Sequence, residues 1–194
     1  MPKLGMEPIR KAALVKATIA EIGQAGSLDV TVSQIAKRAG MSSALAHHYF
    51  GSKEALFLAA MRHILTLYGA EVRGALVLAE GPKARLSAIL AASFSAGNFR
   101  REAVGAWLNF WVMAQSVPEA RRLLKVYQGR LRSNLMAELR LLAGARAPGI
   151  ADGLGALIDG LYLREVLKSG PPDGAAAAAV AMNYLNSKLE REAS

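Results

Sequence analysis

The chain has 194 residues, of which 53% are apolar and none is cysteine, and its 24 lysines and arginines outnumber 15 acids to give a net charge of +9. That length and apolar content suit one helical domain, or two small ones sharing a core, and exclude a disordered chain. The lack of cysteine excludes a disulfide scaffold, thiolate metal sites and cysteine catalysis and fits a reducing cytosol, while the positive charge favours an anionic partner.

The charge does not locate that partner. Residues 1–55 hold seven basic and four acidic side chains, whereas in 121–146 Arg121, Arg122, Lys125, Arg130, Arg132, Arg140 and Arg146 face only Glu138. A solvated helix face accounts for such a run more readily than a nucleic-acid surface does. The first residues contain no apolar core of a signal peptide, so none is expected. The longest apolar runs, such as 175–182, look too short to cross a bilayer.

In chain order, the first helix is expected over 8–25, with Leu14, Val15, Thr18, Ile19 and Ile22 on one stripe and Gly26 as its terminator. Two short helices follow, 32–38 and 43–49, then a longer one over 53–79. Breaks at Gly81-Pro82, Gly97-Asn98, Val117-Pro118, Ala147-Pro148-Gly149 and Gly170-Pro171-Pro172 leave helices near 83–96, 101–116, 119–143, 150–168 and 174–191. The expected fold is all-α, with about nine helices. It comprises an N-terminal three-helix domain (1–52) and a C-terminal helical domain (53–194) for ligand binding and dimerisation.

The segment from Thr31 to Lys53 carries the sharpest signal. Thr31 and Gln34 have capping-box spacing, Gly40 is free to take positive φ, and Ser42 is placed to cap the next helix. Two short helices around a glycine turn make a helix-turn-helix. Its second helix offers Ser43, Ala44, His47 and His48 to a major groove. Thr31, Lys37, Arg38, Ser42, Tyr49 and Lys53 are placed to position phosphates. Each residue alone has a plain alternative: caps occur in any helical protein, and Tyr49 and Phe50 suit a core.

The order Leu14-Val15, Thr18, Ile22, Gly26, Thr31, Ile35-Ala36, Ala39-Gly40-Met41-Ser42, His48-Tyr49-Phe50, Lys53, Leu56 resembles the DNA-binding domain of the tetracycline-repressor family. The resemblance implies a dimeric, operator-binding regulator with a variable C-terminal ligand domain and no cofactor, metal or catalytic role. The MPKLGMEPIRK start and the stretches 106–111, 132–135 and 157–164 are similar to a branch of that family, the choline-responsive repressors of glycine betaine synthesis. The chain departs from the family at Ser43-Ala44-Leu45-Ala46 and His47, and from the branch at Tyr162, where tryptophan is expected.

A quaternary ammonium is recognised by aromatic faces and an acid. Trp107, Phe110, Trp111, Tyr127 and Tyr162 are candidate walls of such a cage, and Asp159 is its candidate acid. Plain core packing is the alternative for each ring. Asp159 lies inside the apolar stripe of Leu157, Ile158 and Leu161, so it needs a partner or a ligand, with Arg130 and Arg164 as alternative partners. The last two helices, through Gly153, Gly155, Gly160, Leu154, Leu157, Leu161, Tyr184, Leu185 and Leu189, are the candidate homodimer face. A lipophilic cation or acyl thioester as effector, and a non-specific basic nucleic-acid binder, remain as alternatives. No HExxH, GxSxG or phosphate-loop motif points to an enzyme.

Overall fold

The computed structural model describes residues 5–190, so the first four residues, part of the stretch that carries the resemblance, and position 191 of the last expected helix lie outside it. Among the described residues there are nine α-helices and no strand: α1 (Met6–Ala25), α2 (Val32–Arg38), α3 (Ser43–Phe50), α4 (Lys53–Val77), α5 (Pro82–Ser93), α6 (Arg101–Ser116), α7 (Pro118–Ala143), α8 (Ala147–Leu167) and α9 (Gly174–Leu189). A short 3₁₀ turn, Gly144–Arg146, links α7 to α8.

Local chemistry explains the ends. Gly26 takes φ 68° and returns its N–H to the Ile22 carbonyl, closing α1. The prolines act as starts as well as breaks. Pro82 and Pro118 open their helices, and α8 begins at Ala147 rather than 150, because Pro148 in a first turn lacks only an N–H that has no partner there anyway. Helix α5 stops at Ser93 instead of running to 96. The Asn98 amide donates to the Ala92 carbonyl (3.0 Å) and the Ser93 carbonyl (3.4 Å), which the next turn would otherwise serve.

One expectation is corrected. Two segments, Lys53–Val77 and Pro118–Leu167, are long and apolar enough by length and composition to cross a membrane. Short uninterrupted apolar runs had hidden this, because hydropathy averages over scattered polar residues. Both segments carry core side chains, including Leu56, Phe57, Ala60 and Met61 in one and Leu135, Leu139, Leu154 and Ile158 in the other.

The helices form two compact units that interleave along the sequence. The first holds the chain up to Thr66 together with Arg100–Leu124, and the second holds Leu67–Phe99 together with the chain from Lys125. In the first, α1 packs on α6 at unusually close range. A Cβ added to Gly23 would fall 2.5 Å from the Glu102 Cα, and one on Gly105 would fall 3.3 Å from the Ile22 carbonyl oxygen. Leu14, Ile22, Ile35, Leu56 and Phe110 fill the core of this unit.

In the second unit Leu86, Ile89, Leu90, Leu135, Leu139, Leu154 and Leu185 are buried. Gly153 lets Tyr184 lie against α8, since a Cβ there would meet the Tyr184 hydroxyl at 2.1 Å. Glu138, the lone acid of the basic run, is buried and accepts from Arg85 at 2.6 Å. Arg132 pairs with Asp152 at 2.6 Å, and Arg146 donates to the Lys188 carbonyl at 2.6 Å. Several charges of that run therefore hold the second unit together.

Candidate DNA-reading helices and effector site

The reading site is built from helix ends in the first unit. Thr31 and Gln34 complete the capping box: the Thr31 hydroxyl accepts from the Gln34 N–H (3.1 Å), and the Thr31 N–H donates to the Gln34 side-chain carbonyl (2.7 Å). Ser42 caps α3 by accepting from the Leu45 N–H (3.2 Å), and Ser52 accepts from the Ala55 N–H (3.1 Å) at the start of α4. Gly40 turns the chain between α2 and α3 at φ 68°.

The outward face of α3 presents Ala44, His47 and His48, with Ser43 half-buried beside them and Ala46 buried beneath. His47 Nδ1 lies 3.2 Å from the Gly51 carbonyl. That oxygen only accepts, so Nδ1 is the donor in this contact. Tyr49 is set by residues that sequence reasoning missed. Arg10 reaches its hydroxyl at 3.4 Å, and the Lys11 ammonium sits 5.8 Å from its ring centroid, itself paired with Glu7 at 2.6 Å. Because Arg10 donates to the phenol oxygen, the phenol keeps its own proton to donate elsewhere.

The cations divide by task. Lys37 is exposed on α2. Arg38 turns back to α1, donating to Glu21 and to the Gln24 side chain, so it joins α2 to α1. Lys53 donates to the Leu28 carbonyl at 3.0 Å.

The sequence-predicted cage residues fall into two groups. Trp107, Phe110 and Trp111 belong to the first unit, with Trp107 edge-on to Phe110 (5.9 Å between centroids) and tilted against Trp111 (5.8 Å). Tyr127, Asp159 and Tyr162 belong to the second, together with Tyr68 and Phe99, which the sequence reading did not single out. Tyr68 meets Tyr127 edge-on at 5.9 Å and shares a 3.0 Å hydrogen bond with Ser93. Tyr162 stacks on Phe99 at 5.2 Å and donates to the Asn98 carbonyl at 2.8 Å.

Asp159 is the electrostatic centre of this second group. Burial raises its carboxyl from the usual carboxylate range to about 6. Neither Arg130 nor Arg164 forms a salt bridge with it, and Arg132, on the same groove, is paired with Asp152. Burial also raises the phenols of Tyr68 and Tyr127, and the charge on Asp159 raises both further. The acid lines a groove of about 320 Å³ between α7 and α8, with Gln128, Leu131 and Ala156 among its walls. No aromatic ring is among the residues that line this groove; the phenols of Tyr68 and Tyr127 feel the charge on Asp159 without lining it. Among the described residues no cluster of three or more histidines or acids is arranged to hold a metal ion.

Comparison with known proteins agrees with this geometry. Residues 14–60 match the family model of bacterial regulatory proteins of the tetR family, and residues 82–190 match that of the BetI-type transcriptional repressor C-terminal domain. The HTH-type transcriptional regulator BetI of Brucella suis biovar 1 is 50% identical over 195 residues, covering 100% of this chain and 98% of its own length. The protein of the same name from Agrobacterium fabrum is 51% identical over 191 residues, covering 98% of this chain and 93% of its own.

A crystal structure of a candidate transcriptional regulator from Pseudomonas aeruginosa PAO1 has the same fold, with a TM-score of 0.82 at 30% identity, covering 95% of this chain and 92% of that one. So does a Saccharomonospora viridis regulator in complex with choline, with a TM-score of 0.80 at 21% identity, covering 91% of this chain and 95% of that one. These relatives are transcription regulators, not enzymes. The chain belongs to the tetR family of helix-turn-helix regulators, and its C-terminal part is of the BetI type.

Proposed function

We propose that this regulator represses genes of choline-to-glycine betaine synthesis, binds its operator as a cytoplasmic homodimer, and responds to choline through Asp159. The observation that carries the reading is the half-buried acid itself, raised to about 6 with no cation paired to it among the described residues. A quaternary ammonium supplies the missing positive charge without needing a hydrogen-bond acceptor. The choline complex of the same-fold regulator from Saccharomonospora viridis supports the choice of cation. A lipophilic cation suits the same acid, whereas an anionic acyl thioester meets a carboxylate of like charge.

On DNA, the expected base-facing groups are Ser43, Ala44, His47 and His48. Thr31, Lys37, Ser42, Tyr49 and Lys53 are the expected phosphate groups, with Arg38 contributing through its hold on α1. A two-fold dimer presents two such helices to a pseudo-palindrome. The dimer face is assigned to α8 and α9, where Leu163, Leu167 and Val180 remain exposed while Leu154 and Leu185 bury inside the protomer. Helix α4 carries Lys53 at one end and Tyr68 further along, so a ligand that displaces Tyr68 biases the helix that starts at the DNA. Calorimetry with choline tests the reading. Saturable binding that Asp159→Asn weakens about tenfold or more is the expected result, and no heat of binding in the wild-type protein contradicts it.

A further inference from the structure

A second cavity lies wholly within the first unit. It measures about 280 Å³ and opens among α1, α2, the start of α4 and the end of α6. Its walls include Ile22, Val30, Ile35, Phe57 and Met113, all buried. A dry apolar cavity of about 150 Å³ accepts benzene, so this one has room for a fused two-ring molecule.

Three of its four polar side chains are already engaged, Ser116 being the fourth. The Thr18 hydroxyl donates to the Leu14 carbonyl at 2.8 Å, and the Lys53 ammonium donates to the Leu28 carbonyl at 3.0 Å. The Glu54 carboxylate is held at the start of α4 by its own backbone N–H and by Ser52. Lys53 and Glu54 stand side by side at the cavity, so an ion of either sign meets a like charge there. The occupant that fits is uncharged and apolar, which sets this cavity apart from the acid-lined groove of Asp159.

We propose that this cavity is a second effector site, for uncharged two-ring aromatic molecules, and that its occupancy weakens operator binding. The coupling runs through Lys53. To reach a phosphate, its ammonium must leave the Leu28 carbonyl and carry its stem away from the cavity wall. A ligand packed against that stem favours the inward position, and DNA favours the outward one, so the two oppose each other. Ile35 and Phe57 bring the same ligand against α2 and α4, and Met113 brings it against α6.

The test uses the full chain with ¹³C-labelled isoleucine and methionine methyls and indole as the probe. Saturable shifts of the Ile22, Ile35 and Met113 methyls are expected, with the operator Kd rising about fivefold or more at saturation. Val30→Phe, which fills the cavity, is expected to abolish both the shifts and the operator effect. Absence of methyl shifts up to the solubility limit of indole overturns the site, on wild-type protein and independently of whether the filled variant folds. Saturable shifts with an unchanged or tighter operator complex overturn the coupling.

Discussion

The two units treat their polar groups differently. In the first, the caps of α2, α3 and α4 close on themselves, Arg38 closes on Glu21 and Gln24, and Lys53 closes on Leu28. In the second, the half-buried carboxylate of Asp159 has no paired cation among the described residues, while Arg132 engages Asp152 and Arg85 engages Glu138. A matched polar group fixes geometry, which a reading head needs to hold its register on DNA. An acid held partly out of water without a partner costs stability, and on the proposed reading a cationic ligand offsets that cost.

The largest expected effect breaks the first unit. Gly23→Ala drives a methyl into the backbone of Glu102, which only a shift of α1 against α6 relieves. A loss of about 3 kcal/mol in denaturant unfolding is expected, together with weakened operator binding in a gel shift. A loss below about 0.5 kcal/mol would mean that the close approach is not needed.

A comparable effect sharpens the second unit, and its sign is opposite to that of a typical paired acid. The folded Asp159 carboxyl titrates near 6 against 3.8 for the ordinary group, so between those values the folded state binds more protons than the unfolded one. Stability from this group is therefore fully present below about pH 4 and is lost as pH rises through 6, by about 3 kcal/mol in all. Unfolding of wild type and Asp159→Asn across pH 4–8 isolates it: the variant is expected to lack that fall. Parallel curves contradict the burial account.

A smaller effect returns to the reading head. Thr31→Ala removes the hydroxyl half of the capping box and is expected to cost about 1 kcal/mol. The weakest is Lys11→Ala, which removes an exposed ion pair and a long-range ring contact. No more than about 0.5 kcal/mol is expected in unfolding, with any larger change confined to operator binding through Tyr49.

Much of this contrast is readable in the sequence where a local rule governs. The span of α2 follows from Thr31, Gln34 and Gly40, and Asp159 stands out because an acid interrupts an apolar stripe. Reading fails where partners are distant in the chain. Nothing near Arg38 indicates that Glu21 and Gln24 will engage it. Tyr68 looks like an ordinary residue of a long helix until Tyr127 and Ser93 are seen beside it. Proline misleads in another way, since Pro148 is both a stop for what precedes it and a start for α8. The rings from Trp107 to Tyr162 share chemistry and helical spacing, and neither tells which compact unit each ring joins.

The central claim is that a cation completes the unmatched acid. Choline calorimetry on wild-type protein at pH 5 and pH 8 tests it most directly. Affinity is expected to rise with pH through about 6 and then level off, because only the ionised Asp159 attracts the ammonium. Asp159→Asn is expected to bind weakly and without that pH dependence. Equal affinity at both pH values in the wild-type protein would contradict the account.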